Sequence, residues 1–457
     1  MWLLVRLMEV WLLSMSNALV KIENWVSGCR LYLWCLLLFV SGCSDGNDGE
    51  EPHPPFLETA ASAYEGIDAD GATLTVSVRS NVEWMVESDK VWCTVLSGST
   101  GSGNADIQLD ITENLTQDAR MATVRISSVD KTLDITVTVI QVAPRFVAGA
   151  HYKLPVVFQV LYVNKNDINQ YVRPGHLQEV IDRVNKLYQE SGQELNLEFV
   201  MATEDPEGNA LEEPGVNRVG WTTGKMDCEE FMNSREKRHL DLIWDPDRYI
   251  NIMLYTFSNL SILGIAQFPF TVYPDELQGC SVWQGGVPGQ ANLNRPQCIS
   301  INNKYIYDIG ASLSPENPAG TDTYVIETIG HELGHYLGLR HTFSETFSGC
   351  SDTDFCEDTP TYDRSVYIRL LQSYGLNYMQ HLDKLVMRYD CMRGGEFVSD
   401  NIMDYSISYF NAFSSNQAER MRYILEHGAF IPGPKDRQTV TRTRSTGMLE
   451  LPIEIMK

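Results

Sequence analysis

The sequence predicts a multi-domain chain, with an all-β sandwich ahead of an α+β domain. Three observations predict it. Residues 57–142 alternate apolar and polar positions with period two, separated by Gly and Ser clusters. Residues 151–433 run strand, helix, strand, with apolar positions at helical spacing between the strands. Inside that second region lies His331-Glu332-Leu333-Gly334-His335-Tyr336-Leu337-Gly338-Leu339-Arg340-His341, which reads H-E-x-x-H-x-x-G-x-x-H.

The chain of 457 residues is long enough for two or three domains. Hydrophobic residues make up 43%, enough for real cores. A net charge of −25 argues against nucleic acid as a partner, because phosphate binding needs a basic surface. Leu31 to Val40 is a short apolar run after Arg30, too short to span a bilayer but suited to a signal-peptide core. It ends in Val40-Ser41-Gly42-Cys43, which resembles a bacterial lipobox. That resemblance implies a signal peptide over 1–42, lipidation of Cys43, and attachment to the outer membrane of a cell envelope by a lipid anchor. Residues 43–56 are polar and rich in Asp, Glu, Gly and Pro, so they read as a flexible tether.

The sandwich strands show as Leu74, Val76 and Val78, then Ile107, Leu109 and Ile111, then Leu133, Ile135, Val137 and Val139. Residues 143–150 form the linker. The second domain opens with a strand over 153–162. A helix follows, with Leu177, Val180, Ile181, Val184 and Leu187 on one face. Leu195, Leu197 and Phe199 alternate as another strand, and Tyr249 to Leu254 reads as a buried one. Tyr367 to Met387 is partly helical, and Gln417 to His427 is a final helix. Residues 434–457 have little periodicity and are expected to be a disordered tail.

The histidine pattern carries the chemistry. Val325, Ile329, Leu333 and Tyr336 recur at helical spacing, with Thr321 or Asp322 as candidate N-cap. Positions four apart share a helix face, so His331 and His335 can point at one ion. Gly338 tolerates the positive φ of a sharp turn, which brings His341 back as third ligand. Three histidines suit Zn²⁺ and leave a fourth position for water. Glu332 can take that water's proton and pass it to a leaving amine.

This extended motif resembles the metzincin clan of zinc endopeptidases, whose methionine turn is matched by Asn401-Ile402-Met403-Asp404-Tyr405-Ser406. His341-Thr342-Phe343, Gly349-Cys350 and Glu357-Asp358-Thr359-Pro360 are similar to the pappalysin family within that clan. The resemblance implies a zinc-dependent endopeptidase that hydrolyses peptide bonds of extracellular proteins or peptides. It makes Met403 a hydrophobic floor beneath the metal and Tyr405 a stabiliser of the tetrahedral oxyanion. Gly264 to Pro269 resembles the edge strand on the cleft's upper rim, where an extended peptide could pair. Ile407 and Ser408 stand where some members carry acidic residues, so a preference for basic side chains after the scissile bond is not implied.

Asp352, Asp354 and Asp358 lie in a loop dense in carboxylates, which could bind structural Ca²⁺ as family relatives do. Cys228, Cys280, Cys298, Cys350, Cys356 and Cys391 allow up to three disulfides, while Cys93 reads as a buried free thiol. Trp84, Trp92, Asn114, Arg120 and Gln141 resemble the BACON module, an immunoglobulin-like domain of carbohydrate-active and surface proteins. It implies glycan or mucin binding, against a stalk in which both tryptophans are core residues. The competing function is therefore a glycan- or mucin-binding surface lipoprotein with a secondary or degenerate peptidase domain. The complete set of His331, His335, His341 and Glu332 argues against degeneracy.

Overall fold

Two sheets of alternating strands pack face to face at the start of the described residues. The computed structural model describes residues 53–308, 325–346, 349–405, 407–436, 443 and 445–456. The export segment, Cys43, most of the tether, the proposed helix cap at Thr321 or Asp322, and Ser406 lie outside the described residues. From Pro55 onward the chain forms one compact unit.

The sandwich holds β1 (Leu57–Thr59), β2 (Ala63–Ile67), β3 (Ala72–Ser80), β4 (Glu83–Ser88), β5 (Cys93–Val95), β6 (Thr100–Ser102), β7 (Ala105–Ile111), β8 (Arg120–Ser128) and β9 (Asp134–Gln141). One sheet has the order β1-β3-β7-β5 and the other β2-β9-β8-β4-β6. The period-two positions Val76, Val78, Ile107, Leu109, Ile111, Val137 and Val139 all turn inward.

The second domain is built on a mixed sheet. Its strands are β10 (Tyr152–Tyr162), β11 (Leu197–Met201), β12 (Val216–Gly220), β13 (Ile250–Tyr255), β14 (Gly264–Phe268), β17 (Ile299–Asn302) and β20 (Glu454–Met456), with a parallel pair β15 (Phe270–Val272) and β16 (Ser281–Trp283) beside it. The order is β11-β10-β13-β17-β14-β20, with β12 also on β10. β14 alone runs antiparallel to β17 on one side and to β20 on the other. Helix α1 (His176–Gln189) and helix α2 (Val325–Tyr336) cover one face. Both faces of the central strands are buried, which is why Ile250 to Tyr255 reads as an unbroken apolar run apart from Asn251. Val156, Phe158 and Val160 of β10 meet Val180, Val184, Ile329 and Leu333 in one core. Each such side chain contributes about 1.5–3 kcal/mol by leaving water. The lower part of the domain holds α3 (Arg364–Tyr374), the hairpin β18 (Met387–Tyr389) with β19 (Glu396–Val398), and α4 (Ser415–His427).

Two expectations are corrected here. The C-terminal segment is not a disordered tail throughout, because Leu451 and Ile453 are buried at 4% exposure and β20 joins the sheet. Its apolar residues are too few for periodicity to reveal, yet they fill the core around Phe270 and Cys298. Consequently β14 is not the outermost strand, since β20 pairs along its outer side.

Candidate metal centre and active site

Helix α2 is buried along nearly its whole length, with Val325, Ile329, Leu333 and Tyr336 all at 1% exposure or less. Four-residue spacing sets His331 beside His335, their rings edge to face at 4.6 Å. Gly338 then adopts φ +90°, and the chain reverses as Leu339 N–H donates to the Gly334 carbonyl. A side chain at Gly338 would be strained by that φ and would meet Ile424 Cγ1 at 2.6 Å. The reversal returns His341 to within 4.6 Å of the His335 ring. The ligand atoms of His331, His335 and His341 all lie within 4.8 Å of one another, and the Nε2 atoms of His335 and His341 are 3.1 Å apart.

Partners on the far side of each ring decide which nitrogen faces inward. His331 Nδ1 lies 2.8 Å from the Ile402 carbonyl, and His335 Nδ1 lies 2.7 Å from the Leu339 carbonyl. His341 Nδ1 lies 2.6 Å from Glu345 Oε1. Each acceptor holds the proton on Nδ1 and leaves the Nε2 lone pair free. The His331 Nε2 atom is buried with no hydrogen-bond partner in the protein. Burial pushes the His331 imidazole down to about 4 and the other two well below their ordinary value, so the rings are neutral. Three neutral, converging imidazoles with an orphaned inward nitrogen fit zinc, and among the described residues they form the one such cluster of metal-type side chains.

Glu332 is 3% exposed, its Oε2 has no partner, and burial holds its carboxyl well above the usual range. It packs against the backbone of β14, where a Cβ on Gly264 would come 2.7 Å from Glu332 Cγ. Met403 lies under the helix, so close that a Cβ at Gly334 would collide with its sulfur. The turn carrying Met403 is braced on both sides. Met403 N–H donates to Asn401 Oδ1 at 2.9 Å, and Asn401 pairs with Gln417 of α4. Asp404 accepts from Tyr362 at 2.5 Å, from Ser399, and from the Tyr405 N–H at 2.6 Å. Tyr405 places its ring 4.4 Å from His341 and 5.4 Å from His331, with the Arg364 guanidinium 4.5 Å from its centroid.

Sequence reasoning missed several groups that support these side chains. Glu345, Arg364 and Arg388, which pairs at 3.7 Å with Asp404 of the methionine turn, have no motif of their own. Only Glu345 left a signal, a carboxylate four residues after the third histidine.

Of the six candidate disulfide cysteines, Cys350 and Cys391 are bonded, tying the acidic loop to the segment before the methionine turn. Cys228, Cys280, Cys298 and Cys356 are free, which corrects the expectation of further bridges. Cys228 and Cys298 are core residues, and burial pushes the Cys228 thiol up to about 11. Asp352 and Asp354 meet side chain to side chain, but Asp358 does not join them. Asp354 is buried and accepts from Thr359 and from Cys356 N–H, while Asp358 accepts from Asn416 N–H at the start of α4.

In the sandwich Trp84 and Trp92 are 2% and 5% exposed. Trp84 donates to the Gly103 carbonyl, and Arg120 lies over Trp92 at 4.4 Å. Cys93 is a buried free thiol. The sandwich meets the second domain through Lys153–Glu113 at 2.6 Å, Gln117 to the Ile431 carbonyl, and Lys90 to the Glu207 carbonyl.

Two stretches of the chain match family models. Residues 299–426 match the peptidase family described as pregnancy-associated plasma protein-A, and residues 57–142 match the viral BACON domain. An extracellular metalloprotease of Arthroderma otae is 27% identical over 268 residues, covering 57% of this chain and 74% of that protein. Extracellular metalloprotease 1 of Coccidioides posadasii is 27% identical over 271 residues, covering 58% and 73%. Among solved structures, mature mirolysin of Tannerella forsythia in complex with a cleaved peptide is similar at 22% identity and TM-score 0.41, covering 61% of this chain and 93% of that one. Among the described residues no helix is long and apolar enough to cross a membrane.

Proposed function

We propose that, in this pappalysin-like zinc metallopeptidase with a BACON-like module, Glu332 and Tyr405 perform the chemistry around His331, His335 and His341. The single observation that carries this is the convergence of three imidazoles, those of His331, His335 and His341, at the helix that also carries Glu332, whose carboxylate Oε2 is buried with no hydrogen-bond partner. When bound, zinc supplies Lewis acidity and lowers the pKa of a coordinated water to about 7. Glu332 Oε2 takes the attacking water's proton and returns it to the leaving amine. The Tyr405 hydroxyl donates to the oxyanion, with its ring held between His341 and Arg364. Met403 keeps the floor of the site apolar and fixes the histidine helix from below.

The substrate is a protein or peptide, and to pair in extended form along the outer side of β14 it would have to take the place that β20 holds in this structure. Residues 151–433 form the catalytic domain and residues 57–142 a spacer that holds it away from a membrane anchored through Cys43. Burial of Trp84 and Trp92 favours the spacer over a sugar platform. Glu332→Gln tests the core of this reading. It should retain zinc and lose peptide cleavage by at least about 100-fold. Undiminished hydrolysis by that variant would remove Glu332 from the mechanism. Binding of residues 57–142 on a glycan array would overturn the spacer assignment.

A further inference from the structure

The outer side of β14 is occupied by the chain itself. β20 pairs with it antiparallel, with Phe268 opposite Glu454, Gln267 opposite Ile455 and Ala266 opposite Met456. Followed from Glu454 to Met456, this strand advances toward Gly264, whose backbone packs on Glu332. A substrate laid on the same side in the same direction would set the residues before its scissile bond along Ala266 to Phe268 and lead its carbonyl toward Glu332.

Side chains reinforce the pairing. Arg340, the residue before the third histidine, lies over the Phe268 ring at 4.6 Å. It donates to the Gly279 carbonyl at 2.9 Å, and its Nη2 lies 3.2 Å from the Glu454 carboxylate. Its Nη1 lies 3.8 Å from the Met456 sulfur. The guanidinium is only 14% exposed. It therefore sits as a fixed cation over the occupied edge.

From this geometry we propose that residues 454–456 are an internal peptide occupying the half of the substrate edge that precedes the scissile bond. Arg340 is the specificity residue of that half and reads an acidic side chain opposite Phe268. The inference rests on the proposed peptidase activity. Full activity on long substrates then requires β20 to leave, while the short segment just before it stays anchored. Leu451 and Ile453 are buried core residues and Glu454 is exposed, while Met456 at the end of β20 is itself 6% exposed, so a cut after Ile453 keeps the anchoring pair and removes the strand together with one buried side chain.

The division allows a direct test. A chain shortened to end at Ile453 is compared with the full chain on two fluorogenic peptides. One has a single residue before the scissile bond, and the other has five residues there with Glu opposite Phe268. The shortened chain should cleave the long peptide with kcat/KM raised roughly tenfold, mainly through KM, as expected for release of a few backbone hydrogen bonds. Cleavage of the short peptide should not change. Equal kcat/KM for both chains on the long peptide would overturn the proposal. In the full chain Glu454→Arg repels Arg340 without removing core residues, and should also raise kcat/KM on the long peptide. No rise there would likewise overturn it, even were the shortened chain to misfold. A labelled synthetic peptide of residues 454–457 should bind the shortened chain carrying Glu332→Gln, read by fluorescence polarisation. Binding needs no catalysis, so loss of cleavage on both peptides with binding kept would sink the peptidase reading alone. Absence of binding would sink the strand.

Discussion

His341 Nδ1 stands 2.6 Å from Glu345 Oε1, so the third ligand is aimed by a carboxylate from its own chain four residues on. A carboxylate behind an imidazole fixes its tautomer and raises its basicity toward a metal. Glu345→Ala should weaken zinc binding about 10–100-fold while leaving the fold intact. Competition with a chromogenic chelator measures it, and unchanged affinity would remove Glu345 from the site.

Gly338 faces two separate obstacles to substitution, a φ of +90° and Ile424 Cγ1 at 2.6 Å from an added Cβ. Strain alone costs a non-glycine residue about 1–2 kcal/mol. Gly338→Ala should therefore lower Tm and shift His341 out of register. Zinc content after dialysis should fall, and full occupancy with unchanged Tm would contradict this account of the turn.

Arg388 and Asp404 are 0% and 2% exposed, and together they pin the turn that carries Met403 and Tyr405. Arg388 also donates to the Ile407 carbonyl and stacks on Tyr367 at 3.6 Å. Removing one partner of a buried pair leaves an uncompensated charge, at a cost of about 3–5 kcal/mol. Arg388→Met should approach that loss in urea unfolding, and pairing it with Asp404→Asn should recover part of it.

Asp354 is 2% exposed, and its carboxyl is pushed up to about 7, chiefly by burial, against the lowering effect of Thr359. An unfolded aspartate titrates near ~3.9. A raised folded value means the group supports folding fully below about pH 4 and loses that support as pH rises through about 7. Asp354→Asn keeps the hydrogen-bonding shape without the charge. Its Tm should gain on the wild type as pH climbs from about 5 to about 8. Parallel Tm curves would place the titration elsewhere. Calcium bound by this loop would instead raise the wild-type Tm at the upper end and leave the variant unmoved.

Features encoded by local spacing were legible in the chain alone. Helical periodicity placed His331 and His335 on one face, and Gly338 marked the reversal to His341. Alternation marked the sandwich strands, and an apolar run marked β13. Those signals are local because each needs only the geometry of a turn, a helix or a pleat. Long-range pairing set the remainder. Arg388 found Asp404 and Cys350 found Cys391 because packing brought distant segments together, and neither spacing nor composition encodes such a partner. The same holds for β20, three residues with no periodicity that became a strand only because β14 offered an open row of backbone groups. Local chemistry wrote the metal ligands into the chain, and tertiary contact alone settled what braces them and what lies across the edge they serve.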